Sequence, residues 1–136
     1  MVVDANLLVT MISGDARGAR VFEQIFAWIY EGVELVAPNL APYEVINALT
    51  RLVVSGSLQG ENAQKAWNDQ SILPIRYHSI HDPERVIEIA VRLPRQTAYD
   101  AVYLALAEEL RTDLWTLDGP LYRNARQLGF PVQLLV

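Results

Sequence analysis

The 136-residue sequence contains no cysteine and a single lysine, Lys65; its other basic residues are arginines. Without cysteine the chain forms no disulfide and offers no thiolate to a metal, which suits a reducing cytoplasm. No apolar run approaches the ~20 residues that a membrane-spanning helix needs. The acid at position 4 comes too early for a secretory signal peptide. We therefore expect a cytoplasmic protein with no membrane segment.

Positive charge is also scarce, because the formal net charge is −5. This balance argues against a protein that holds nucleic acid by bulk electrostatics. Two interpretations remain: nucleic acid is not the partner, or the acids are clustered and bind cations that then bind phosphate. The chain is 51% hydrophobic, which excludes a disordered chain. Its length fits one domain spanning residues 1–136.

Short apolar runs alternate with segments of helical periodicity along the whole chain. Strands are predicted at residues 2–3, 33–37, 114–117 and 131–135, with a weak edge strand within 72–80. Helices are predicted at about 5–11, 16–30, 39–54, 58–71, 82–93, 97–110 and 118–129. This alternation predicts an α/β fold: a single three-layer α/β/α domain with a mainly parallel central sheet of four to five strands.

Two acids follow predicted strands directly. Asp4 and Asp118 each stand after an apolar strand and before a helix. In a parallel sheet both positions lie at the carboxyl edge, where such folds bind their ligands. The alternative is helix capping, which Asp also performs well.

Two further acids fall within predicted helices. Asp100 lies in a predicted helix that is apolar almost all round, so its carboxylate needs a proton, an arginine or a metal to neutralise it. The alternative is a capping box formed with Thr97. Glu44 lies in the helix that Asn39 is predicted to open as N-cap. The predicted buried stripe of this helix is formed by Ile46, Leu49 and Val53, and Glu44 lies opposite that stripe. Pairing of a solvated Glu44 with Arg51 is the alternative there.

Four segments around these acids together resemble the PIN-domain family, and most closely the toxin half of VapBC-type toxin–antitoxin pairs. The segments occur in the family's order across nearly the whole chain: Val2–Val9, Tyr43–Leu49, Thr97–Ala105 and Trp115–Leu121. Each segment alone is a weak signal, and the set is much more specific. The resemblance implies a PIN-like fold and a magnesium-dependent endoribonuclease.

The resemblance also implies a role for each matching residue. Asp4, Asp100 and Asp118 would hold Mg²⁺ or Mn²⁺, and Glu44 would complete this catalytic and metal-binding cluster. Asn6 and Thr116 would orient Asp4 and Asp118. The implied partners are an RNA substrate, an antitoxin that docks on the helices from Asn39 to about Ser71, and a second copy of the chain in a homodimer.

Elementary electrostatics agrees with a metal site. Two carboxylates ~4 Å apart repel by about 4 kcal/mol at an effective dielectric near 20. Hard divalent cations with oxygen ligands relieve that repulsion, and the bound metal turns an acidic cluster into a phosphate site. Arginines that would guide the RNA backbone include Arg51, Arg95 and Arg123.

The chain departs from the family at two positions, and two other functions stay open. Relatives often carry Ser or Thr where this chain has Asn6, and some add an acid where it has Leu121. One open alternative is an aspartate-dependent phosphatase-like hydrolase, although such enzymes usually carry a second Asp where Asn6 stands. The other is a catalytically silent PIN-like protein-interaction module.

Overall fold

A computed structural model describes residues 1–94 and 97–135 of the chain. Its five strands are β1 (Val2–Val3), β2 (Leu35–Pro38), β3 (Ile75–His78), β4 (Leu114–Thr116) and β5 (Val132–Leu134). Its helices are α1 (Ala5–Ile12), α2 (Gly18–Tyr30), α3 (Ala41–Val54), α4 (Gly60–Ser71), α5 (Pro83–Arg92), α6 (Tyr99–Glu109) and α7 (Gly119–Gln127). The predicted α/β alternation is confirmed.

All strand pairs are parallel, in the order β3-β2-β1-β4-β5. The chain moves outward from β1 to β3, returns to β4 on the other side of β1, and ends at β5. Because parallel crossovers are right-handed, this reversal places α1 to α4 on one face and α5 to α7 on the other. Helices α1 to α4 contact one another, and α5 contacts α6, as that arrangement requires. The three-layer prediction is confirmed, with five strands.

The reversal of strand order determines where a ligand would bind. Connections from β1 and β4 leave toward opposite faces of the sheet, so a crevice opens beyond their carboxyl ends. Val2 and Val3 are fully buried and pair with Leu114 and Trp115. The Asp4 N–H continues this ladder by donating to the Trp115 carbonyl at 3.0 Å. The residues that follow β1 and β4 are therefore held side by side.

Local sequence signals account for several helix starts. Asp82 caps α5 by accepting from the Arg85 N–H at 3.0 Å, and Pro83 occupies the first turn, as predicted. The start of α3 differs from the prediction, because Leu40 rather than Asn39 is its N-cap. Strand β2 extends to Pro38, and the Asn39 side chain instead donates to Ser79 Oγ.

The buried stripe of α3 is also offset from the prediction. Ala41, Val45 and Leu49 are its buried residues, whereas Ile46 is 46% exposed. The predicted stripe was thus wrong at Ile46. In the described parts of the chain, no helix combines the length and the apolar character needed to cross a membrane.

Candidate metal-binding active site

The four acids singled out in the sequence line one cleft of about 380 Å³ at the carboxyl ends of β1 and β4. Asp4 follows β1, Glu44 lies in the first turn of α3, Asp100 in the first turn of α6, and Asp118 follows β4. Further residues lining the cleft are Ala5, Asn6, Val9, Thr10, Asn47, Ala48, Arg51 and Tyr99. Four elements distant in sequence therefore bring their carboxylates to a single opening.

Asp4 is buried at the base of the cleft and is held through both carboxylate oxygens. Its Oδ2 accepts a hydrogen bond from the Thr116 hydroxyl at 2.7 Å, and its Oδ1 accepts from the Asn6 N–H at 3.2 Å. The second bond caps α1, so the capping interpretation is correct for Asp4. The cap and the cleft position are compatible, because the strand end and the helix start coincide.

Thr116 is a fully buried junction between the two strand ends. Its hydroxyl donates to Asp4. It also accepts two hydrogen bonds, from Asn6 Nδ2 and from the Asp118 N–H, and both of these are 3.0 Å long. One donor and two acceptors are all that a hydroxyl offers, so its capacity is filled. Asn6 completes the link, because its Oδ1 accepts from the Leu117 N–H at 3.2 Å. The structure thus brings Asn6 and Thr116 beside Asp4 and Asp118, where the sequence reading expects orienting groups.

Asp118 lies at the other side of this junction. Its Oδ1 accepts from the Leu121 N–H at 2.8 Å and caps α7, whose first turn contains Pro120. The capping interpretation is therefore also correct for Asp118. The position of Leu121, where some relatives add an acid, is 1% exposed, so an aliphatic side chain fills core space there.

Asp100 lies half-buried in the first turn of α6. The capping-box alternative is wrong. The N-cap of α6 is Ala98 and not Thr97, and Thr97 Oγ1 accepts from the Tyr99 N–H instead of the Asp100 N–H. The charge of Asp100 reaches its neighbours: it raises the pKa of both Asp4 and Glu44. Asp100 is thus electrostatically part of the cluster.

Burial and neighbouring acids disfavour the ionised forms of Asp4 and Glu44. Burial is the main cause that raises the pKa of Asp4 to about 7. The hydrogen bonds from Thr116 and Asn6 oppose that rise, while the charges of Glu44 and Asp100 add to it. Burial also raises the pKa of Glu44, against the lowering effect of its hydrogen bond with Tyr103. A divalent cation bound beside them would lower the pKa of both Asp4 and Glu44, because it stabilises the ionised carboxylates.

The donor set of the cleft fits a hard cation. Its acids offer only carboxylate oxygens, which are ligands for Mg²⁺ or Mn²⁺ rather than for a soft metal. Within residues 1–94 and 97–135, no three His, Cys, Asp or Glu side chains converge into a ready-made coordination set. An open arrangement of this kind suits Mg²⁺, which keeps several waters and binds through one or two carboxylates.

Tyr103 is the residue that the sequence interpretation missed. It lies one turn after Asp100 in α6, is 2% exposed, and donates from its hydroxyl to Glu44 Oε1 at 2.6 Å. The sequence did contain a signal for it: Tyr103 stands three residues after Asp100, on a helix whose other buried residues are aliphatic. The predicted neighbour of Glu44 was Arg51, which lines the same cleft but has no ion pair with any described residue.

The other arginines proposed for RNA lie elsewhere or outside the description. Arg123 is exposed on α7; its guanidinium comes close to Gly119, which follows Asp118, but Arg123 is not among the residues that line the cleft. Arg95 falls outside the described residues. Arg51 is therefore the one arginine of the three that the structure shows lining the cleft.

Comparison with known proteins covers nearly the whole chain. The profile of the PIN domain family matches residues 1–127. Ribonuclease VapC1 of Mycobacterium tuberculosis is 34% identical over 134 residues, covering 98% of this chain and 94% of the relative. Ribonuclease VapC3 of Pyrobaculum aerophilum is 30% identical over 138 residues, covering 96% and 98%.

Solved structures agree in fold. The crystal structure of PAE2754 from Pyrobaculum aerophilum superposes with a TM-score of 0.69 at 24% identity, covering 90% of this chain and 77% of the other. Mycobacterium tuberculosis VapC20, described as a sarcin-ricin loop cleaving toxin, gives a TM-score of 0.67 at 18% identity, covering 95% of both chains. At these identities the likeness supports the architecture alone.

Proposed function

Because this chain belongs to the PIN domain family, we propose that it is a magnesium-dependent endoribonuclease and the toxin component of a type II toxin–antitoxin pair. The observation that carries the proposal is that four acidic residues from separate elements line one cleft, with the pKa of buried Asp4 raised to about 7 by burial and acidic neighbours. The relatives whose printed name is ribonuclease support the reaction class.

In this proposal Asp4, Asp100 and Asp118 hold Mg²⁺ or Mn²⁺, directly or through water, and Glu44 completes the cluster. The bound metal supplies an activated water and stabilises charge on the phosphate being attacked. The protein's own contribution is to hold its ligands rigidly. Thr116 and Asn6 do this for Asp4 and Asp118 through five hydrogen bonds.

RNA would approach a chain of net negative charge, so local groups must attract its backbone. A metal held by the cleft acids would provide positive charge at the reacting phosphate. Arg51 lines the same cleft from α3 and would bind a neighbouring phosphate, since a guanidinium donates to phosphate oxygens in a bidentate manner. Substitution of Arg51 is thus expected to raise KM for RNA more than it lowers kcat.

The phosphatase alternative receives less support from the geometry. Both oxygens of Asp4 accept hydrogen bonds within the protein, which restrains a carboxylate that would have to attack phosphorus. Asn6, at the position where such phosphatases carry a second Asp, bridges Thr116 and Leu117 instead. No observation favours the silent module over the nuclease.

The deciding experiment measures cleavage of structured and single-stranded RNA with Mg²⁺, with chelator, and with the variants Asp4→Asn and Asp100→Asn. We expect cleavage only by the unaltered protein with metal. Glu108→Gln, far from the cleft at the opposite end of α6, is the matched carboxylate-to-amide control and should cleave normally. Turnover of a phosphomonoester without RNA cleavage would support the phosphatase, and absence of both activities would support the silent module.

Partners and location belong to the same proposal. An antitoxin would dock on α3 and α4, where an apolar groove of about 490 Å³ lies between Ile46 and Trp67. The chain would form a homodimer in the cytoplasm. Co-purification with the product of the adjacent gene tests for the antitoxin. Light scattering of the isolated chain tests for the homodimer. A chain that stays monomeric at all concentrations would contradict the homodimer.

A further inference from the structure

Tyr103 places one polar atom on an otherwise apolar surface. The other buried residues of α6 are Ala101, Val102, Leu104, Leu106 and Ala107. A buried hydroxyl is costly unless it is hydrogen-bonded. Its partner is Glu44, which is 59 residues away in sequence and lies on α3. The hydroxyl therefore links the central helix to the wall of the cleft.

The chemistry of the two groups fixes the direction of this hydrogen bond. The phenol carries the O–H and a carboxylate only accepts, so the Tyr103 hydroxyl donates and Glu44 Oε1 accepts. A short O–H···O⁻ hydrogen bond of 2.6 Å is charge-assisted and holds the carboxylate in one rotation. Oε2 is the oxygen of Glu44 that Tyr103 leaves unengaged.

We propose that Tyr103 is a positioning residue, which fixes Glu44 in the cleft before the metal arrives. The inference rests on the proposed nuclease function. Glu44 is only half-buried and has three rotatable side-chain bonds, so without an anchor it would sample solvent and lose conformational freedom on binding. A phenylalanine would fill the same core volume, so packing alone does not require the hydroxyl of Tyr103.

The test removes only that hydroxyl, by Tyr103→Phe, and measures Mn²⁺ binding by calorimetry without RNA. Loss of a hydrogen-bond partner of a metal ligand typically costs about 10- to 100-fold in affinity, and we expect a loss in that range. In a Glu44→Gln background the same substitution should cause no further loss. Tyr122→Phe, which makes the same chemical change outside the cleft, is the control and should bind Mn²⁺ normally.

A second readout uses the metal-free protein and does not depend on the folding of Tyr103→Phe. The hydroxyl proton of Tyr103 is expected as a slowly exchanging, downfield NMR resonance that moves upfield in Glu44→Gln. Unchanged Mn²⁺ affinity in Tyr103→Phe, or an equal loss in both backgrounds, would overturn the positioning role. A hydroxyl resonance insensitive to Glu44→Gln would overturn it too. If the unaltered protein neither binds Mn²⁺ nor cleaves RNA, the proposed function itself fails.

Discussion

Helix α6 carries acids at both of its ends, and their surroundings differ. At the C-terminal end, Glu108 receives two hydrogen bonds from the Arg85 guanidinium, both at 3.0 Å, and Glu109 pairs with His81. At the N-terminal end, Asp100 faces a cleft shared with Asp4 and Glu44. There, within the described residues, the side-chain hydrogen bonds to those two neighbours come from neutral hydroxyls.

The two ends show that the presence of acidic residues does not by itself indicate a metal-binding site. The outer acids are solvated and balanced by bases, as in an ordinary surface ion-pair network. In the cleft, Asp4 is buried and Glu44 is half-buried, and the side-chain hydrogen bonds to both come from neutral hydroxyls. The pKa of both carboxyls is raised, so a cation beside them would stabilise their ionised forms. Substitutions in the cleft should therefore affect RNA cleavage, and substitutions at the C-terminal end of α6 should not.

The largest expected effect separates the cleft, which the N-terminal end of α6 helps to line, from the C-terminal end of that helix. Asp4→Asn removes one charge from the cleft without changing the side-chain shape, and RNA cleavage should fall by roughly a thousandfold, because several kcal/mol of transition-state stabilisation depend on the metal. Glu108→Gln should cleave as the unaltered protein does. Single-turnover cleavage rates at saturating Mg²⁺ measure both. Comparable losses in the two variants would remove the distinction between the ends.

The second effect is a pH dependence of stability in the metal-free protein. Since the pKa of Asp4 is raised to about 7, the folded state binds a proton more tightly than the unfolded state does. Stability should therefore fall as pH rises from about 4 to 7, by on the order of 3 to 4 kcal/mol, and stay low above pH 7. Denaturant unfolding across this range measures the fall.

Asp4→Asn supplies the control for that pH dependence. The variant cannot ionise at position 4, so the part of the slope that belongs to Asp4 should disappear. Identical pH profiles for the two proteins would mean that Asp4 does not carry this titration.

The third effect concerns the junction between β1 and β4. Thr116→Val preserves shape but removes the hydroxyl that bonds to Asp4, Asn6 and the Asp118 N–H. Buried groups left unsatisfied cost about 1 to 3 kcal/mol each, so unfolding free energy should drop by about 2 kcal/mol or more. Thr116→Ser keeps the hydroxyl and should recover most of the loss. Equal loss in both variants would point to the methyl group instead.

The smallest expected effect is at the paired end. Arg85→Gln removes the cation that binds Glu108 and Glu88 on the protein surface. The Glu88 pair is exposed and contributes little, whereas the two-bond pair with half-buried Glu108 contributes more, so thermal unfolding should shift modestly and RNA cleavage should not change. A large loss of cleavage in this variant would show that the outer network also supports the active site.

The sequence predicted the strand-end acids because two regularities coincide there. Asp4 and Asp118 follow buried apolar runs, and parallel strands bring such positions to one edge. The same acids cap helices, so the capping and functional interpretations were not true alternatives. Local pattern could not separate them, since one carboxylate can cap a helix and line the cleft at the same time.

Other features depended on distant contacts and escaped local reasoning. The phase of α3 is set by packing of Val45 and Leu49 into the core, which exposes Ile46. Pairing of β2 with β3 extends the strand to Pro38 and prevents Asn39 from capping α3. The Tyr103–Glu44 hydrogen bond joins residues on separate helices, so no sequence periodicity indicates it.

Anomalous diffraction from crystals soaked in Mn²⁺ tests the central claim most directly. The account predicts a metal peak in the cleft among Asp4, Glu44, Asp100 and Asp118, which vanishes in Asp4→Asn and persists in Glu108→Gln. A peak beside His81 and Glu109 instead, or well-diffracting soaked crystals with an empty cleft, would contradict it.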